Sequence, residues 1–248
     1  MQVERGGWVR RFHAAPDRPV RLVLLPHAGG SASYFFPFSR DLSAAADVLS
    51  IQYPGRQDRL GEPCIDDATR LADALTEALL PWLDRPFVLF GHSLGATVAF
   101  EVARRLERDA GLVPRRLIVS GRRAPADVRD SGVHRRDDEG LLAELAEMSG
   151  TDSTVLTDPD LLDMILPVLR SDYRAAETYV YRPGPPLSCP ILAMAADSDP
   201  RVSVEDVDRW RRYTTAGFEL EVFPGGHFYL ADERPGVVAA ITRRLGEA

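Results

Sequence analysis

The chain has 248 residues, 45% apolar and 27% charged, with a formal net charge of −7. That length favours a single domain, and the acidic balance excludes a general nucleic-acid binder. No apolar run reaches the roughly 18 residues of a membrane span, and Met1 to Arg11 lack the apolar centre of an export signal, so a cytoplasmic protein away from membranes is expected.

All 30 basic residues are arginine, and neither lysine nor asparagine occurs. A Walker A loop, a Schiff-base enzyme and a Ser–Lys hydrolase are thereby excluded. Cys64 and Cys189 stand far apart, fit no metal or redox spacing, and are read as reduced thiols.

Short apolar runs alternate with longer amphipathic ones along the chain. Val20–Leu25 ends at Pro26, Val48–Tyr53 at Pro54-Gly55, and Phe87–Phe90 at Gly91. Leu117–Ser120 ends at Gly121, and Ile191–Ala196 and Phe218–Phe223 complete six predicted strands. Runs of this kind are expected in a parallel sheet buried on both faces. Between them, Asp66 is a candidate cap for a helix carrying Leu71, Leu75 and Leu79 on one face. Leu94–Leu106 reads as a helix of small residues, and Ser203 to Asp206 as a capping box. Strand–helix alternation predicts an α/β fold with helices on both faces of the sheet.

Residues 125–186 break the rhythm. They hold no convincing strand, a helix with Leu141, Leu142, Leu145 and Met148, and a second from Leu161 to about Tyr181 that Pro167 should kink or interrupt. Sixty residues are too many for a plain crossover. The segment is expected to form a helical lid over one end of the sheet; the plainer reading is an edge subdomain without a substrate role.

Gly91-His92-Ser93-Leu94-Gly95 follows a buried strand and opens a helix. That is the strand–turn–helix setting of a nucleophile elbow. Serine needs a base to take its proton. In this fold class the acid and then the histidine follow the serine in sequence. His134 and His227 both do. His227, in the loop after the last predicted strand, is favoured over His134, which lies in an Arg/Asp-rich stretch of the insertion. His27 precedes the serine and is held as an alternative base. The acid should follow a strand and precede His227, which leaves Asp197 and Asp199 open. Oxyanion donors are expected from the backbone N–H of Leu94 and from the loop Pro26-His27-Ala28-Gly29-Gly30, with Ala28 N–H the first candidate.

The sequence resembles the type II thioesterases of polyketide and nonribosomal peptide synthesis, which are stand-alone α/β-hydrolases. The resemblance covers nearly the whole chain. It rests on Pro26 to Gly30, Tyr53-Pro-Gly-Arg-Gln-Asp-Arg59 with Glu62-Pro63, Phe90 to Ala96, Ser120-Gly-Arg-Arg-Ala-Pro125, Leu166-Pro-Val-Leu-Arg-Ser-Asp-Tyr173 with Glu177 and Tyr179, Asp197 to Pro200, and Gly225 to Phe228. It implies Ser93 as nucleophile, Asp199 as acid and His227 as base. Leu94 stands where the family often has methionine, a departure that touches pocket shape but not a backbone donor.

The resemblance further implies hydrolysis of acyl groups from the phosphopantetheine thiol of acyl or peptidyl carrier proteins, with no metal or other cofactor. A medium-chain fatty-acyl thioesterase, a small-molecule esterase of the same fold, and a non-catalytic binding module are the competing readings. Carrier domains are generally acidic, so docking on this acidic chain would need a local basic patch. Arg122, Arg123, Arg135 and Arg136 are the candidates, against a reading as solvated surface charge. Arg56 and Arg59 are read either as salt bridges that tie down their loop or as a rim that meets phosphate or a carrier surface.

Overall fold

The computed structural model describes residues 2–3, 7–127, 129–149 and 159–246. In chain order the strands are β1 (Gln2–Val3), β2 (Val9–Arg11), β3 (Arg21–Leu25), β4 (Asp47–Ile51), β5 (Phe87–His92), β6 (Arg116–Ser120), β7 (Ile191–Ala196) and β8 (Phe218–Phe223). The helices are α1 (Phe36–Leu42), α2 (Ala68–Leu79), α3 (Leu94–Arg105), α4 (Asp138–Ser149), α5 (Pro159–Glu177), α6 (Val204–Asp208), α7 (Tyr229–Asp232) and α8 (Arg234–Leu245).

The strands form one sheet in the order β1-β2-β4-β3-β5-β6-β7-β8. It is parallel from β4 to β8, with β1 and β2 added antiparallel at one edge. This is the expected α/β-hydrolase architecture. Successive side chains of a strand face opposite ways, and β3 shows the consequence. Val23 and Leu25 join a core layer with Leu71, Leu75 and Leu79 of α2 and Val98 and Val102 of α3. Leu22 and Leu24 join the opposite layer with Phe38 of α1 and Val237 and Ile241 of α8.

The chain runs outward from β3 to β4 and then returns to β5 on the other side of β3. The strand order therefore reverses between β3 and β5, and a crevice opens beyond the carboxyl ends of strands at such a point. The loop Pro26 to Gly30 leaves β3 there, and Ser93 leaves β5 there. The topology alone brings the two together.

Several local expectations need correction. Strands β1 and β2 were not anticipated; a three-residue strand, Val9-Arg10-Arg11, shows no alternation long enough to read. The cap of α2 is Asp67, not Asp66: Asp67 Oδ1 accepts the N–H groups of Thr69 and Arg70 at 2.8 and 2.9 Å. Asp66 instead pairs with Arg174 of α5. Helix α5 runs through Pro167 without interruption and stops at Glu177. Pro167 is exposed, while Val168, Leu169, Asp172, Ala175 and Ala176 are buried, so packing of the following turns outweighs the lost hydrogen bond. Finally, β8 is an edge strand and only partly buried, with Glu219 and Glu221 paired to Arg116, Arg243 and Arg244.

Between β6 and β7 the described residues add no strand to the sheet and carry helices α4 and α5. Leu141 of α4 is fully buried, whereas Leu145, Leu162 and Leu166 are half-buried. The side chain of Met148 lies outside the described residues. No helix among the described residues is long and apolar enough to cross a membrane.

Candidate active site

Ser93 sits between β5 and α3 with φ 54° and ψ −117°. This backbone conformation is sparsely populated by non-glycine residues and holds strain of about 1–3 kcal/mol. The flanking glycines explain how it is tolerated. A Cβ on Gly91 would stand 2.1 Å from the Gly95 carbonyl oxygen, and one on Gly95 would stand 2.2 Å from the Leu25 carbonyl oxygen. Only hydrogen fits at either place, so the strand can turn sharply into α3 and leave the serine at the crevice. Ser93 N–H donates to Ser120 O at 2.8 Å, which fixes the turn against β6.

His227 lies in the loop between β8 and α7 and is buried. Its Nδ1–H donates to Asp199 Oδ2 at 2.7 Å. Asp199 follows β7, and its side chain is 1% exposed. Asp199 Oδ1 accepts the N–H groups of Arg201 and Val202 at 2.8 and 3.2 Å. One oxygen is thus locked by its own loop, and the other faces the imidazole. Asp197 is exposed and serves the turn, accepting Gly225 N–H at 3.0 Å and the Ser198 hydroxyl at 2.9 Å.

Ser93, His227 and Ala28 line one cavity, together with His27, Tyr173 and Arg122. Leu94 is the first residue of α3, where a backbone N–H has no acceptor within the helix. Among the described residues the Ala28 N–H likewise meets no acceptor. Both are therefore free to donate to a charge developing beside Ser93.

The other histidines are placed differently. His92 is buried behind the turn, with Nδ1 2.9 Å from Ser120 Oγ, which in turn lies 2.6 Å from the Tyr229 hydroxyl. His134 is 2.5 Å from Glu177 Oε2, at the rim. His27 lines the cavity, packs edge-on against Tyr34 and Phe228, and among the described residues has no partner on its buried Nδ1.

Burial pushes the His27 pKa down to about 3, with the nearby His227 and Arg56 opposing its charge. A base that weak, without a carboxylate to orient it, is poorly suited to take a serine proton. The folded value lies below the unfolded one, so stability must fall as pH drops from about 6.5 toward 3. The difference in melting temperature between pH 7 and pH 5 is expected to be smaller in His27→Gln than in the wild type. An equal difference in thermal melts of the two proteins would remove His27 as a source of acid sensitivity.

The four arginines considered for docking do not form a free patch. Arg122 lies inside, donating to Thr97 Oγ1 at 2.9 Å and to Ala176 O at 2.6 Å. Burial draws its pKa down to about 10. Arg123 pairs with Asp206, Arg135 with Asp130 and Arg136 with Glu144. Arg56 and Arg59 are 6% exposed each, which rules out a rim role. Arg59 pairs with Glu62, donates to Gln52 O at 2.8 Å and stacks over Trp8. Arg56 grips Asp172 of α5, a pairing that spacing in the sequence does not reveal.

The remaining residues of the resemblance also find structural roles. Glu177 accepts hydrogen bonds from the Ser131 hydroxyl and from the N–H groups of Val133 and His134. Burial alone would raise its pKa, yet these bonds and the His134 ring hold the carboxyl below its usual range. Asp130 joins His134 and Glu177 in a group whose ligand atoms lie within 4.8 Å, but Asp130 is already engaged by Arg135. The Tyr179 hydroxyl donates to Glu101 at 2.8 Å. Burial raises the pKa of the Cys189 thiol to about 12, so it is an unreactive core residue.

Residues 20–245 match the thioesterase-domain family. The chain belongs to the thioesterase family. Thioesterase PikA5 of Streptomyces venezuelae is 53% identical over 234 residues, which cover 94% of this chain and 83% of that protein. Among solved structures, the type II thioesterase BorB from the borrelidin biosynthetic cluster superposes with a TM-score of 0.90 at 46% identity, covering 96% and 97% of the two chains. RedJ, a thioesterase from the prodiginine pathway of Streptomyces coelicolor, superposes with a TM-score of 0.87 at 39% identity, covering 92% and 91%. This thioesterase is therefore a hydrolase on an α/β-hydrolase scaffold.

Proposed function

We propose that this thioesterase hydrolyses acyl groups from the phosphopantetheine thiol of acyl or peptidyl carrier proteins in a polyketide or nonribosomal peptide pathway, as an editing enzyme. The observation that carries the chemistry is the 2.7 Å contact between Asp199 and His227 on a cavity shared with Ser93. The substrate class is supported by BorB and RedJ, which are named as thioesterases of a biosynthetic cluster and a biosynthetic pathway.

In the proposed mechanism Ser93 Oγ attacks the thioester carbonyl while His227 Nε2 takes its proton. The Asp199 carboxylate stabilises the imidazolium and holds its Nδ1–H. The oxyanion collects on Ala28 and Leu94 N–H. Collapse expels the thiol, protonated by His227. Water, deprotonated by the same imidazole, then attacks the acyl-enzyme and regenerates Ser93. Ser93, His227 and Ala28 lie on the cavity wall, with Asp199 on the far side of the imidazole and Leu94 N–H at the start of α3. Helices α4 and α5, which bring Glu144, Tyr173 and Ala176 to that wall, act as the lid over the acyl group.

The test loads a carrier protein with acetyl and longer acyl groups and follows deacylation by intact-protein mass spectrometry, with the same acyl groups on a simple ester as control. Fast loss from the carrier with a slower ester is expected. A carrier left intact beside a hydrolysed ester would reassign the chain to small-molecule esters. The ion pairs of Arg123, Arg135 and Arg136 argue against a docking patch built on them. Arg135→Gln is accordingly expected to leave the salt dependence of carrier turnover unchanged, since Asp130 already offsets that charge. A flattened salt dependence in that variant would restore Arg135 to the docking face.

A further inference from the structure

The loop that supplies the Ala28 N–H is held by a part of the protein distant in sequence. Asp172, on α5, accepts the Gly29 N–H at 2.7 Å on Oδ2. The same carboxylate takes both arms of Arg56, at 2.7 Å on Oδ2 and 2.9 Å on Oδ1. Arg56 in turn donates to Gly30 O at 3.0 Å. The amide of Gly29, the carbonyl of Gly30, one guanidinium and one carboxylate thus close a ring. Asp172 is 1% exposed and Arg56 6%. The helix also packs directly on the loop: a Cβ on Gly29 would stand 2.5 Å from Leu169 Cδ2.

We propose that Asp172 and Arg56 are positioning residues for the oxyanion hole, so that the hole is complete only when α5 is seated on the loop after β3. The inference rests on the proposed hydrolysis through Ser93. Its physical basis is the direction of each bond. Gly29 N–H turned toward Asp172 fixes the peptide plane after Ala28, Gly30 N–H on His27 O at 3.0 Å fixes the plane that carries Ala28 N–H, and Gly30 O on Arg56 anchors the far end, so Ala28 N–H keeps its direction on the cavity wall. A charge-assisted bidentate pair out of water sets direction as well as contributing energy. Burial alone would lower the Arg56 pKa, but its neighbours, Asp172 first, raise it above the ordinary value, so the guanidinium stays charged. Lid placement and transition-state stabilisation are then one equilibrium. An acyl chain that unseats α5 weakens the hole, and one that fits beneath α5 preserves it.

A merely structural pair would change stability; a positioning pair must change the balance between substrate and transition-state binding. Three variants separate these: Asp172→Ala, Asp172→Asn and Arg170→Ala. Arg170 ties α5 to His134 O and Asp138, away from the oxyanion loop, and serves as the control. On an acyl-carrier thioester, Asp172→Ala is expected to lower kcat about 100-fold with KM changed less than about two-fold. Asp172→Asn keeps an oxygen for Gly29 N–H but loses the charged fork, and a fall of about 10-fold is expected. Arg170→Ala should lower the melting temperature while kcat stays at the wild-type value.

The decisive readout is a pair of ligands. An acyl trifluoromethyl ketone forms an alkoxide in the hole, and its affinity should fall in parallel with kcat. A thioether of the same acyl chain, which forms none, should bind the variants as it binds the wild type. Equal loss of both ligands, or wild-type kcat in a folded Asp172 variant, would overturn the proposal. If Asp172→Ala does not fold, Asp172→Asn decides by the same ratio. The two readings fail separately. A wild type inert toward every carrier thioester ends the carrier assignment, and the Asp172 comparison is then made on a simple ester and on the ketone, where the same hole operates.

Discussion

Ser93→Ala is expected to lower turnover of any acyl substrate by about 10⁴-fold or more while the protein remains folded. Among the described residues the hydroxyl makes no capping hydrogen bond at the start of α3, so its removal costs the helix nothing. What remains is the backbone strain at φ 54°, unchanged because alanine also carries a Cβ. Ser93→Gly is the companion variant. It should be equally inactive, yet more stable by about 1 kcal/mol or more, since glycine adopts positive φ without the clash. For a chain of this size that corresponds to a rise of about 2–4 °C in melting temperature. Loss of activity with gain of stability is the signature of a residue kept in a strained conformation for chemistry. Labelling by a fluorophosphonate, followed by mass spectrometry, checks the same point from the other side: it should occur in the wild type and in neither variant. Residual turnover above about one part in 10³ in Ser93→Ala would mean that another group attacks the acyl carbon.

The elbow was legible because its constraints are local. Two glycines four residues apart, a buried strand before and small residues after are all visible in one stretch of sequence. The His227 loop was legible for a similar reason, since it follows the last strand run. The choice between Asp197 and Asp199 was not local. Both follow β7 within three residues, and only the fold of the loop sends Asp199 Oδ2 to the imidazole and Asp197 to Gly225. The ring of Arg56, Asp172 and Gly29 was invisible for a stronger reason. Its members are 143 residues apart at the widest, and no periodicity links a loop after β3 to the middle of a helix between β6 and β7. The resemblance marks Pro54-Gly55-Arg56 and Arg170-Ser171-Asp172 as separate segments, and nothing in the sequence joins them. The fold joins them when the strand order turns back at β3. Pro167 misled in the other direction. A local rule ends a helix there, but the residues after it are buried, with Leu169 and Asp172 against the Gly29 loop, and that packing decides.

The distinction between the two aspartates gives the second large effect. Asp199→Asn is expected to lower kcat by about 10⁴-fold, the size seen when this substitution reverses the tautomer of a catalytic histidine. The geometry says why the same reversal should occur here. Oδ1 of residue 199 is held by two backbone N–H groups, from Arg201 and Val202, so an asparagine must place its carbonyl oxygen there. Its amide NH₂ then occupies the position of Oδ2 and points at His227 Nδ1. Two donors cannot face each other, so Nδ1 must give up its hydrogen and Nε2 must carry it. An Nε2–H cannot accept the proton of Ser93, and the serine loses its base. The protein should fold normally, since the asparagine retains the hydrogen bonds of the loop. Asp197→Asn tests the specificity of the effect. Its Oδ1 accepts only from Gly225 N–H and the Ser198 hydroxyl, and an amide oxygen does this as well. Less than about two-fold change in kcat is expected there. Nitrogen NMR of the His227 ring reads the tautomer directly and should show the protonated nitrogen exchanged in Asp199→Asn and unchanged in Asp197→Asn. A kcat within about ten-fold of wild type in Asp199→Asn would assign the orienting acid elsewhere. A reversed tautomer with that activity intact would further mean that His227 is not the base.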